Sequence, residues 1–394
     1  MMKDRRNNTM DFVRVGIIGI GNMGRSHAKS IKEGKVPGAQ LTAVCDWDPD
    51  KIPWIKENLG SDVLVFSSAE EMFEANVIDA VFIATPHYDH PTLAIQAFEK
   101  NLHVLIEKPA GVYTKQVREM NEVAARTNTV FGIMYNQRTN PLYQKLKDLI
   151  DSGELGELRR VNWIITTWYR SQSYYDSGGW RATWAGEGGG VLLNQCPHQL
   201  DLIQWLCGMP TRVRAFMSFG KMHNIEVEDD VTAYLEYENG ATGVFITSTS
   251  DTPGTNRLEI TGDRGKVVVE DDKLEFWRLR TPERQFNEEY TGGFGQPECW
   301  KCEIPVEGKY TQHVGILNDW IQSILKGTPL LAPGEEGIRG LIISNAMHLS
   351  TWTDDWVTLP IDEDLFLEHL EEKIKTSRFE KTVKTVTLDT SGTH

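Results

Sequence analysis

Cysteine and positive charge are both scarce in this chain of 394 residues. The five cysteines are odd in number and widely spaced, which excludes a disulfide framework and is typical of a reducing compartment. Cys299 and Cys302 form a lone CxxC without a second pair, so no metal site is predicted. Lysine and arginine number 41 against 56 acidic residues, a net charge of −15. Because nucleic-acid-binding surfaces are normally basic, a nucleic-acid partner is excluded and a polyanionic substrate is disfavoured.

Long apolar runs are also missing. No stretch approaches the ~20 apolar residues that a membrane-spanning helix needs, so no membrane partner is predicted. Residues 1–10 are polar and charged, without the apolar core of a secretory signal, and are predicted to be a disordered tail. These absences predict a globular, cytoplasmic protein. Single cores seldom exceed about 250–300 residues, so two domains are expected.

Residues 11–136 alternate regularly between strand and helix patterns. Predicted strands lie at 13–21, 40–46, 80–86, 103–108 and 129–136. Predicted helices lie at 22–34, 49–59, 91–101 and 114–127. The strands are almost continuously apolar, which is typical of a parallel sheet covered by helices on both faces. Residues 11–136 are therefore predicted to be a doubly wound α/β domain of the Rossmann type.

The pattern changes between residues 137 and 360. After a helix at 142–152, apolar and polar residues alternate with a period of two, which indicates an antiparallel sheet with one exposed face. Predicted strands lie at 159–170, 212–219, 231–238, 241–250, 257–262 and 266–272, and predicted helices near 191–206, 313–326 and 336–351. The segment 238–240 is predicted to form a type I′ turn. Residues 137–360 are thus predicted to be a second α/β domain, and 361–394 a C-terminal extension that contains a charged helix.

The first predicted strand runs into a glycine-rich turn. Residues 19–24 read GIGNMG, the GxGxxG motif that binds a dinucleotide when it lies between a strand and a helix. Asp46 ends the second strand, 22 residues beyond Gly24, where an acid would bind the adenosine ribose. A carboxylate there repels a 2′-phosphate, which favours NAD over NADP. Predicted cofactor contacts in this region are Gly19, Gly21, Asn22, Met23, Gly24 and Asp46.

Three other predicted strands of this sheet end in polar residues. The carboxyl ends of parallel strands meet at one edge, where ligands of doubly wound sheets bind. Lys108 follows a buried strand, and a lysine is rarely placed there without a use. We therefore expect Lys108 beside the nicotinamide. Further predicted cofactor contacts are Thr85, Pro86, His90, Glu107, Lys108 and Asn136.

A second group of candidate residues lies in 186–208, where a glycine-rich loop leads into a helix. Asn194 and His198 are four residues apart, so a regular helix would put both on one side, with Asp201 on the same stripe. Pro197 argues against a regular helix at that point. A single helical histidine is more often structural than catalytic, so His198 alone does not define a site.

The motifs GIGNMG, ATPHYDH, EKPAG and GGGVLLNQCPHQLD, together with Asp46, resemble the glucose–fructose oxidoreductase/inositol dehydrogenase (Gfo/Idh/MocA) family over about residues 12–360. The resemblance implies a Rossmann domain followed by a domain with a large, mostly antiparallel open sheet. It implies that this second domain, residues 137–360, binds the substrate and assembles homodimers or homotetramers through that sheet. It implies that Lys108 and His198 are the catalytic lysine and histidine. Asn194 departs from the family pattern, in which aspartate is common; an amide can orient an imidazole but cannot stabilise imidazolium as a carboxylate does.

Together these features predict an NAD-dependent sugar or polyol dehydrogenase that oxidises a secondary hydroxyl, with C3 of a pyranoside preferred to inositol. The hydroxyl must lose a proton as the hydride leaves, and both His198 and Lys108 remain candidates for the base. Aromatic residues between 163 and 184 could stack against a sugar ring. Predicted catalytic residues are Lys108, Asn194 and His198, and predicted substrate contacts are Lys108, Arg138, Trp168, Arg181, Asn194, His198 and His313.

Two other functions fit the same motifs. One is an NAD-dependent glycosidase that oxidises C3 transiently to allow elimination. The other is a non-catalytic protein that senses NAD or a sugar. Retention of both Lys108 and His198 weighs against the sensor, which needs neither for chemistry.

Overall fold

The computed structural model describes residues 11–383, so the tail predicted for residues 1–10 and the end of the 361–394 extension lie outside the described residues. The described chain forms two compact units. The first runs to Gly111 and includes Gln116–Asn136 and Thr311–Gly337; the second comprises Val112–Lys115, Gln137–Tyr310 and the chain from Ile338 onward. Residues 311–337, which the sequence pattern assigned to the second domain, thus belong with the first unit.

The first unit is built on a six-stranded parallel sheet. Its strands are β1 (Val13–Ile18), β2 (Ala39–Cys45), β3 (Leu64–Phe66), β4 (Ala80–Ile83), β5 (His103–Ile106) and β6 (Phe131–Ile133). The helices of this part of the chain are α1 (Asn22–Lys32), α2 (Ile52–Leu59), α3 (Ala69–Glu74), α4 (Asp89–Glu99) and α5 (Thr114–Ala124). The strand order β3-β2-β1-β4-β5-β6, parallel throughout, confirms the predicted doubly wound sheet. The order reverses direction beside β1 and β4, which is where ligands of such sheets bind.

The burial of a strand decides whether the sequence pattern could predict it. Every residue of β4 and of β6 is buried, so these strands read as continuous apolar runs. β3 and α3 were not predicted. β3 is a three-residue edge strand in which Leu64 and Val65 are exposed, so it carries no burial pattern.

The second unit is built on a nine-stranded sheet. The elements that follow α5 in the chain are α6 (Pro141–Asp151), β7 (Leu158–Ile165), α7 (Gln172–Asp176), α8 (Val191–Asn194), α9 (Pro197–Cys207), β8 (Arg212–Phe219), β9 (Glu228–Glu236), β10 (Thr242–Ser248), β11 (Asn256–Gly262), β12 (Gly265–Glu270), β13 (Lys273–Leu279), α10 (Glu283–Glu289), β14 (Cys299–Cys302), α11 (Gln312–Lys326, in the first unit), α12 (Gly337–Thr353), β15 (Val357–Thr358) and α13 (Glu363–Thr376). The strand order is β14-β13-β12-β11-β7-β10-β9-β8-β15. Only β7 and β10 pair in parallel, so the predicted, mostly antiparallel sheet is confirmed.

The nine-stranded sheet has one buried and one exposed face. Along β9, Val231, Ala233 and Leu235 are buried, whereas Thr232 and Tyr234 between them are exposed. This alternation is the period of two on which the prediction depended. None of the helices in residues 11–383 is long and apolar enough to cross a membrane.

The turn between β9 and β10 differs from the type I′ turn that was predicted. Gly240 has φ +82° and donates its N–H to the Tyr237 carbonyl oxygen at 2.9 Å, but Asn239 does not have a positive φ. A type I′ turn needs positive φ at both central residues. The chain instead forms the longer turn in which a left-handed glycine closes a bulge. An Asn-Gly pair suits both turns, so the sequence could not separate them.

The single helix predicted over 191–206 is two helices. α8 ends at Asn194, and α9 begins at Pro197, as expected where proline removes a backbone donor. Asn194 and His198 therefore do not share the face of one helix, and the spacing argument that placed them together was wrong.

Arg138 and Asp201 form a buried ion pair that holds α9 to the chain before α6. Each side chain is 1% exposed. Arg138 Nε donates to Asp201 Oδ2 at 2.8 Å, and Nη2 donates to Oδ1 at 2.6 Å. Gln204 also donates to Asp201 Oδ1 at 3.0 Å. Such a pair tolerates replacement of both partners by apolar residues far better than loss of one.

We expect Asp201→Asn to lower the free energy of unfolding of the second unit by about 3–5 kcal/mol, because it removes the negative charge that two buried hydrogen bonds hold against the Arg138 guanidinium. The double variant Arg138→Met/Asp201→Leu should recover most of that loss. Asp151→Asn, which breaks an exposed pair with Lys147 on α6, is the control and should change stability by less than about 0.5 kcal/mol. Urea unfolding followed by circular dichroism measures all three. Equal effects of the Asp201 and Asp151 variants would contradict the assignment.

Candidate active site

The glycine-rich turn between β1 and α1 has the geometry that a dinucleotide phosphate requires. Gly19 has φ +91°, and a Cβ there would lie 2.6 Å from the Ala84 carbonyl oxygen, so only glycine fits. A Cβ at Gly24 would lie 1.8 Å from the Gly19 carbonyl oxygen, so α1 packs directly on the turn. A Cβ at Gly21 would meet nothing within 4 Å. The turn therefore offers open space for a pyrophosphate at the N-terminus of α1.

Asp46 follows β2 and is bound to the same turn. Its Oδ2 accepts from the Ile20 N–H at 2.7 Å, and its Oδ1 accepts from the Asp48 N–H at 3.0 Å. The side chain remains partly exposed. A carboxylate at this position can accept hydrogen bonds from ribose hydroxyls and repels a 2′-phosphate. The residues at this edge thus fit NAD.

Thr85, directly after β4, adds a second sign of a ligand. Its Oγ1 is buried and has no hydrogen-bond partner within the described chain. Buried hydroxyls normally have a partner, so an orphaned one indicates a bound group that would supply it. This supports the predicted cofactor contact at Thr85.

A buried carboxylate fixes the start of the turn that follows β5. Glu107 Oε1 lies 2.8 Å from His27 Nε2, and Oε2 accepts from the Lys108 N–H at 3.1 Å. Burial alone would raise the pKa of Glu107, but the hydrogen bond with His27 and the charges of His27, His313 and Lys108 lower it to about 2. Glu107 is therefore ionised at neutral pH. Lys108 itself is half-buried, and its peptide bond to Pro109 is cis.

His90 lies inside the protein rather than at the surface of the site. Its side chain is 0% exposed. Nδ1 lies 2.8 Å from the Pro109 carbonyl oxygen, and Nε2 lies 2.8 Å from the Thr85 carbonyl oxygen. Both ring nitrogens thus contact backbone, so a direct contact with the cofactor, as the sequence predicted, is disfavoured.

In the second unit, the residues around Asn194 form one hydrogen-bonded cluster. Asn194 Nδ2 donates to the buried Glu187 carboxylate, and Oδ1 accepts from the Tyr174 hydroxyl at 3.1 Å. The Tyr174 hydroxyl accepts from Arg181 Nη1 at 2.8 Å. Burial raises the pKa of Glu187, although Arg181 and the donors from Ala182 and Asn194 oppose this. The cluster fixes which way the Asn194 amide points.

Three buried polar atoms beside this cluster have no hydrogen-bond partner within residues 11–383. They are Trp168 Nε1, Arg170 Nε and Gln195 Oε1. The Arg170 guanidinium carbon lies 5.7 Å from the Trp168 ring centroid and 5.2 Å from that of Tyr174. Gln195 Nε2 lies 3.3 Å from the Tyr174 hydroxyl. Two donors and one acceptor beside aromatic rings are what a ligand with several hydroxyl groups requires.

Glu228 holds the segment that leads to Asn194. Its Oε2 accepts from the Gly190 N–H at 2.8 Å, and its Oε1 accepts from the Leu192 N–H at 3.0 Å. His348 Nε2 lies 3.0 Å from Oε2, and Glu228 is 0% exposed. A Cβ at Gly190 would lie 2.0 Å from the Glu228 carbonyl oxygen, so this close approach requires glycine.

The remaining predicted residues have varied surroundings. Arg138 is bound to Asp201, which favours a structural role over substrate contact. His198 is half-buried in the first turn of α9. His313 belongs to the first unit, where its ring centroid lies 5.5 Å from that of His27. The other predicted cofactor contacts lie in the first unit. Asn22 and Pro86 are exposed there, Met23 is half-buried and Asn136 is buried.

Sequence reasoning missed His27, Glu187 and Glu228. His27 lies three residues beyond Gly24 on the buried face of α1, so a polar residue at an apolar position was an available signal. Glu187 directly precedes the run of glycines 188–190, and no sequence motif marks it as a buried acid. Glu228 is 36 residues from its partner Leu192 and gave no signal.

Comparison with known proteins identifies the two units. Residues 13–135 match the model of an oxidoreductase family with an NAD-binding Rossmann fold, and residues 143–268 match the GFO/IDH/MocA C-terminal domain. The myo-inositol 2-dehydrogenase of Thermotoga maritima is 24% identical over 346 residues, 86% of this chain and 96% of that protein. The levoglucosan dehydrogenase of Pseudarthrobacter phenanthrenivorans is 23% identical over 390 residues, 89% of this chain and 99% of that protein.

Among solved structures, the WlbA dehydrogenase of Bordetella pertussis, in complex with NADH and UDP-GlcNAcA, is similar with a TM-score of 0.75 and 25% identity. The match covers 89% of this chain and all of that one. The matched models span both units, and the glycine turn, Asp46 and Thr85 fit the cofactor of the first. The chain therefore belongs to the GFO/IDH/MocA family of oxidoreductases, and its first unit is the family's NAD-binding domain.

Proposed function

We propose that this protein oxidises a secondary hydroxyl group of a sugar, glycoside or polyol with NAD⁺, or catalyses the reverse reduction. The observation that carries the proposal is the group of buried, unpartnered polar atoms at Trp168, Arg170 and Gln195. A ligand rich in hydroxyl groups would satisfy them, and the rings of Trp168 and Tyr174 would cover its C–H face. Relatives named as inositol and levoglucosan dehydrogenases support the same substrate class.

The residues of the first unit would hold the cofactor. The turn at Gly19–Gly24 would bind its pyrophosphate and Asp46 its adenosine ribose. NAD supplies the hydride acceptor when it is bound. What remains for the protein is to take the hydroxyl proton and to stabilise the oxygen as negative charge develops on it.

We propose that His198 is the base that accepts the hydroxyl proton. Lys108 then stabilises the negative charge that develops on the substrate oxygen. Glu107 is ionised, and the charge of Lys108 is among the influences that lower the pKa of Glu107, so the two groups lie close enough to interact. A lysine ammonium group is a donor and can hydrogen-bond an oxygen that becomes negative. Histidine titrates near neutral pH and needs little tuning to act as a base. Asn194, held by Glu187 and Tyr174, would orient the substrate or the imidazole.

Within this class we favour a pyranoside oxidised at C3. A pyranose ring presents an apolar face to an aromatic side chain while its hydroxyls remain at the edge. The WlbA structure, with its bound UDP-GlcNAcA, indicates that a sugar ring is compatible with this fold.

The test is turnover of NAD⁺ with a panel of glucosides, levoglucosan, inositols and uronic acids, followed by absorbance of NADH and by fluorescence of cofactor that stays bound. We expect NADH with at least one member. Lys108→Ala should abolish turnover and leave NAD⁺ binding intact, because the glycine turn and Asp46 are unchanged. Lys100→Ala, at an exposed lysine paired with Glu74, is the control and should behave as wild type. Turnover by the Lys108 variant would refute the site, and silence across the panel would refute the substrate class.

Glu187→Gln tests the Asn194 cluster. Both Glu187 oxygens accept hydrogen bonds, one from Asn194 Nδ2 and the other from the Ala182 N–H. Glutamine keeps only one acceptor oxygen, so its amide nitrogen must face one of these two donors and the contacts that hold Asn194 are weakened. We expect kcat to fall by about 10²-fold with the Kd of NAD⁺ unchanged. Asp319→Asn, on α11, is the matched control. Burial also raises the pKa of Asp319, and its carboxylate accepts from the Leu331 N–H at 2.8 Å. Equal kcat values for Glu187→Gln and Asp319→Asn would show that the Asn194 cluster has no role in catalysis.

We also propose that the protein is a homodimer or homotetramer assembled through the exposed face of the nine-stranded sheet. Ile164, Phe216, Tyr234, Val244 and Ile246 lie on that face, on adjacent strands, and none of them is buried. Contiguous apolar surface of this kind is rare on monomers and marks an interface.

Ile246→Glu should therefore yield a smaller species than wild type by light scattering, since it introduces a charge into the centre of this apolar surface. Leu64→Glu, at a 47% exposed residue of edge strand β3, is the control and should leave the mass unchanged. A monomeric wild-type protein would contradict the proposal.

A further inference from the structure

One imidazole ring connects the ends of two neighbouring strands beside Lys108. His90 lies in the first turn of α4 and is 0% exposed. Its Nε2 reaches the carbonyl oxygen of Thr85, after β4, and its Nδ1 reaches that of Pro109, after β5, each at 2.8 Å. Pro109 is the residue after Lys108. The ring thus ties two strand ends on which the proposed chemistry depends.

Both contacts of this ring are with acceptors. A carbonyl oxygen has no proton to give, and a neutral imidazole carries one N–H and one lone pair. In the neutral form one ring nitrogen would therefore point its lone pair at a carbonyl oxygen only 2.8 Å away. Only the imidazolium form donates to both.

The groups around the ring offset part of the cost of burying a cation. Burial is the largest influence and lowers the pKa of His90 overall, although both carbonyl groups and the carboxylates of Glu107 and Asp89 act in the opposite direction. Glu107 comes from the end of β5 and Asp89 from α4 itself. The other titratable ring nearby is His87, with its centroid 6.2 Å from that of His90.

Lys108 is therefore held from both sides by buried histidines on different helices. His27 of α1 binds Glu107, the residue before it, and His90 of α4 binds Pro109, the residue after it. Glu107 N–H also donates to the Ile83 carbonyl oxygen at 2.8 Å. The backbone of residues 107–109 has little freedom left, and the position of the lysine amine depends on it.

We propose that His90 is a positioning residue that holds Lys108 by donating from both ring nitrogens as an imidazolium. The effect on catalysis rests on the function proposed above. The protonation state does not, and it can be measured without any substrate.

Magic-angle-spinning NMR of the full-length protein at pH 7 tests the protonation state directly. Asp89-His90 is the only Asp-His step in the sequence, so ¹³C-carbonyl aspartate with ¹³C,¹⁵N-histidine selects this one ring. We expect both ring nitrogens to show the shifts of protonated nitrogen. One protonated and one unprotonated nitrogen would overturn the proposal, whether or not a substrate has been found and without the need for a variant that folds.

His90→Gln tests the positioning role, since one amide can donate to only one of the two carbonyl groups while its oxygen faces the other. We expect kcat to fall by about 10²-fold, with a much smaller change in the Kd of NAD⁺, since His90 also contacts the Thr85 carbonyl. His103→Gln is the control: His103 lies at the opposite end of β5, where its Nδ1 accepts from the Val130 N–H at 2.8 Å. A wild-type kcat for His90→Gln, or an equal loss in His103→Gln, would overturn the role.

Discussion

A carboxylate without access to water is stable only where donors surround it, and this constraint organises the chemical edge of the first unit. Glu107 contacts His27 through one oxygen and the Lys108 N–H through the other. A movement of the turn after β5 would break both of these hydrogen bonds. The turn is therefore in place before a ligand arrives, and a preorganised charge stabilises a transition state without further rearrangement.

In the second unit, buried carboxylates surrounded by donors likewise fix the glycine-rich segment 186–190. Residues 186–190 include four glycines, which contribute no side chains to a core. Glu228 binds the N–H groups of Gly190 and Leu192, and Glu187 binds the N–H of Ala182 and the amide of Asn194. Two buried acids thus supply the order that the glycines lack. The glycines in turn allow the backbone to approach Glu228 more closely than any other residue would permit.

The elements that depend on local periodicity could be predicted from the sequence. The contacts of side chains whose hydrogen-bond partners are distant in the sequence could not. Both sheets and the glycine turn follow from patterns within a few residues of each other. The strands β3 and β14 were missed because exposed edge strands have no apolar period, and the turn at Gly240 because Asn-Gly suits two geometries. Glu228 contacts backbone N–H groups 36 and 38 residues away, and no local side-chain pattern predicts a bond to backbone at that distance. Arg138 looked like a ligand contact because its buried partner, Asp201, is 63 residues away.

The same contacts explain why position 194 carries an amide. Its two polar atoms face opposite partners: Nδ2 meets the Glu187 carboxylate, an acceptor, and Oδ1 meets the Tyr174 hydroxyl, a donor. Aspartate at this position would set two carboxylates against each other in a buried site, and one of them would have to hold a proton. With asparagine, no second carboxylate is buried there, and the amide bridges the Glu187 carboxyl group to the Tyr174 hydroxyl, which accepts from Arg181. The departure from the common aspartate is thus compatible with a working site, because the amide satisfies an acceptor and a donor that lie on opposite sides of it.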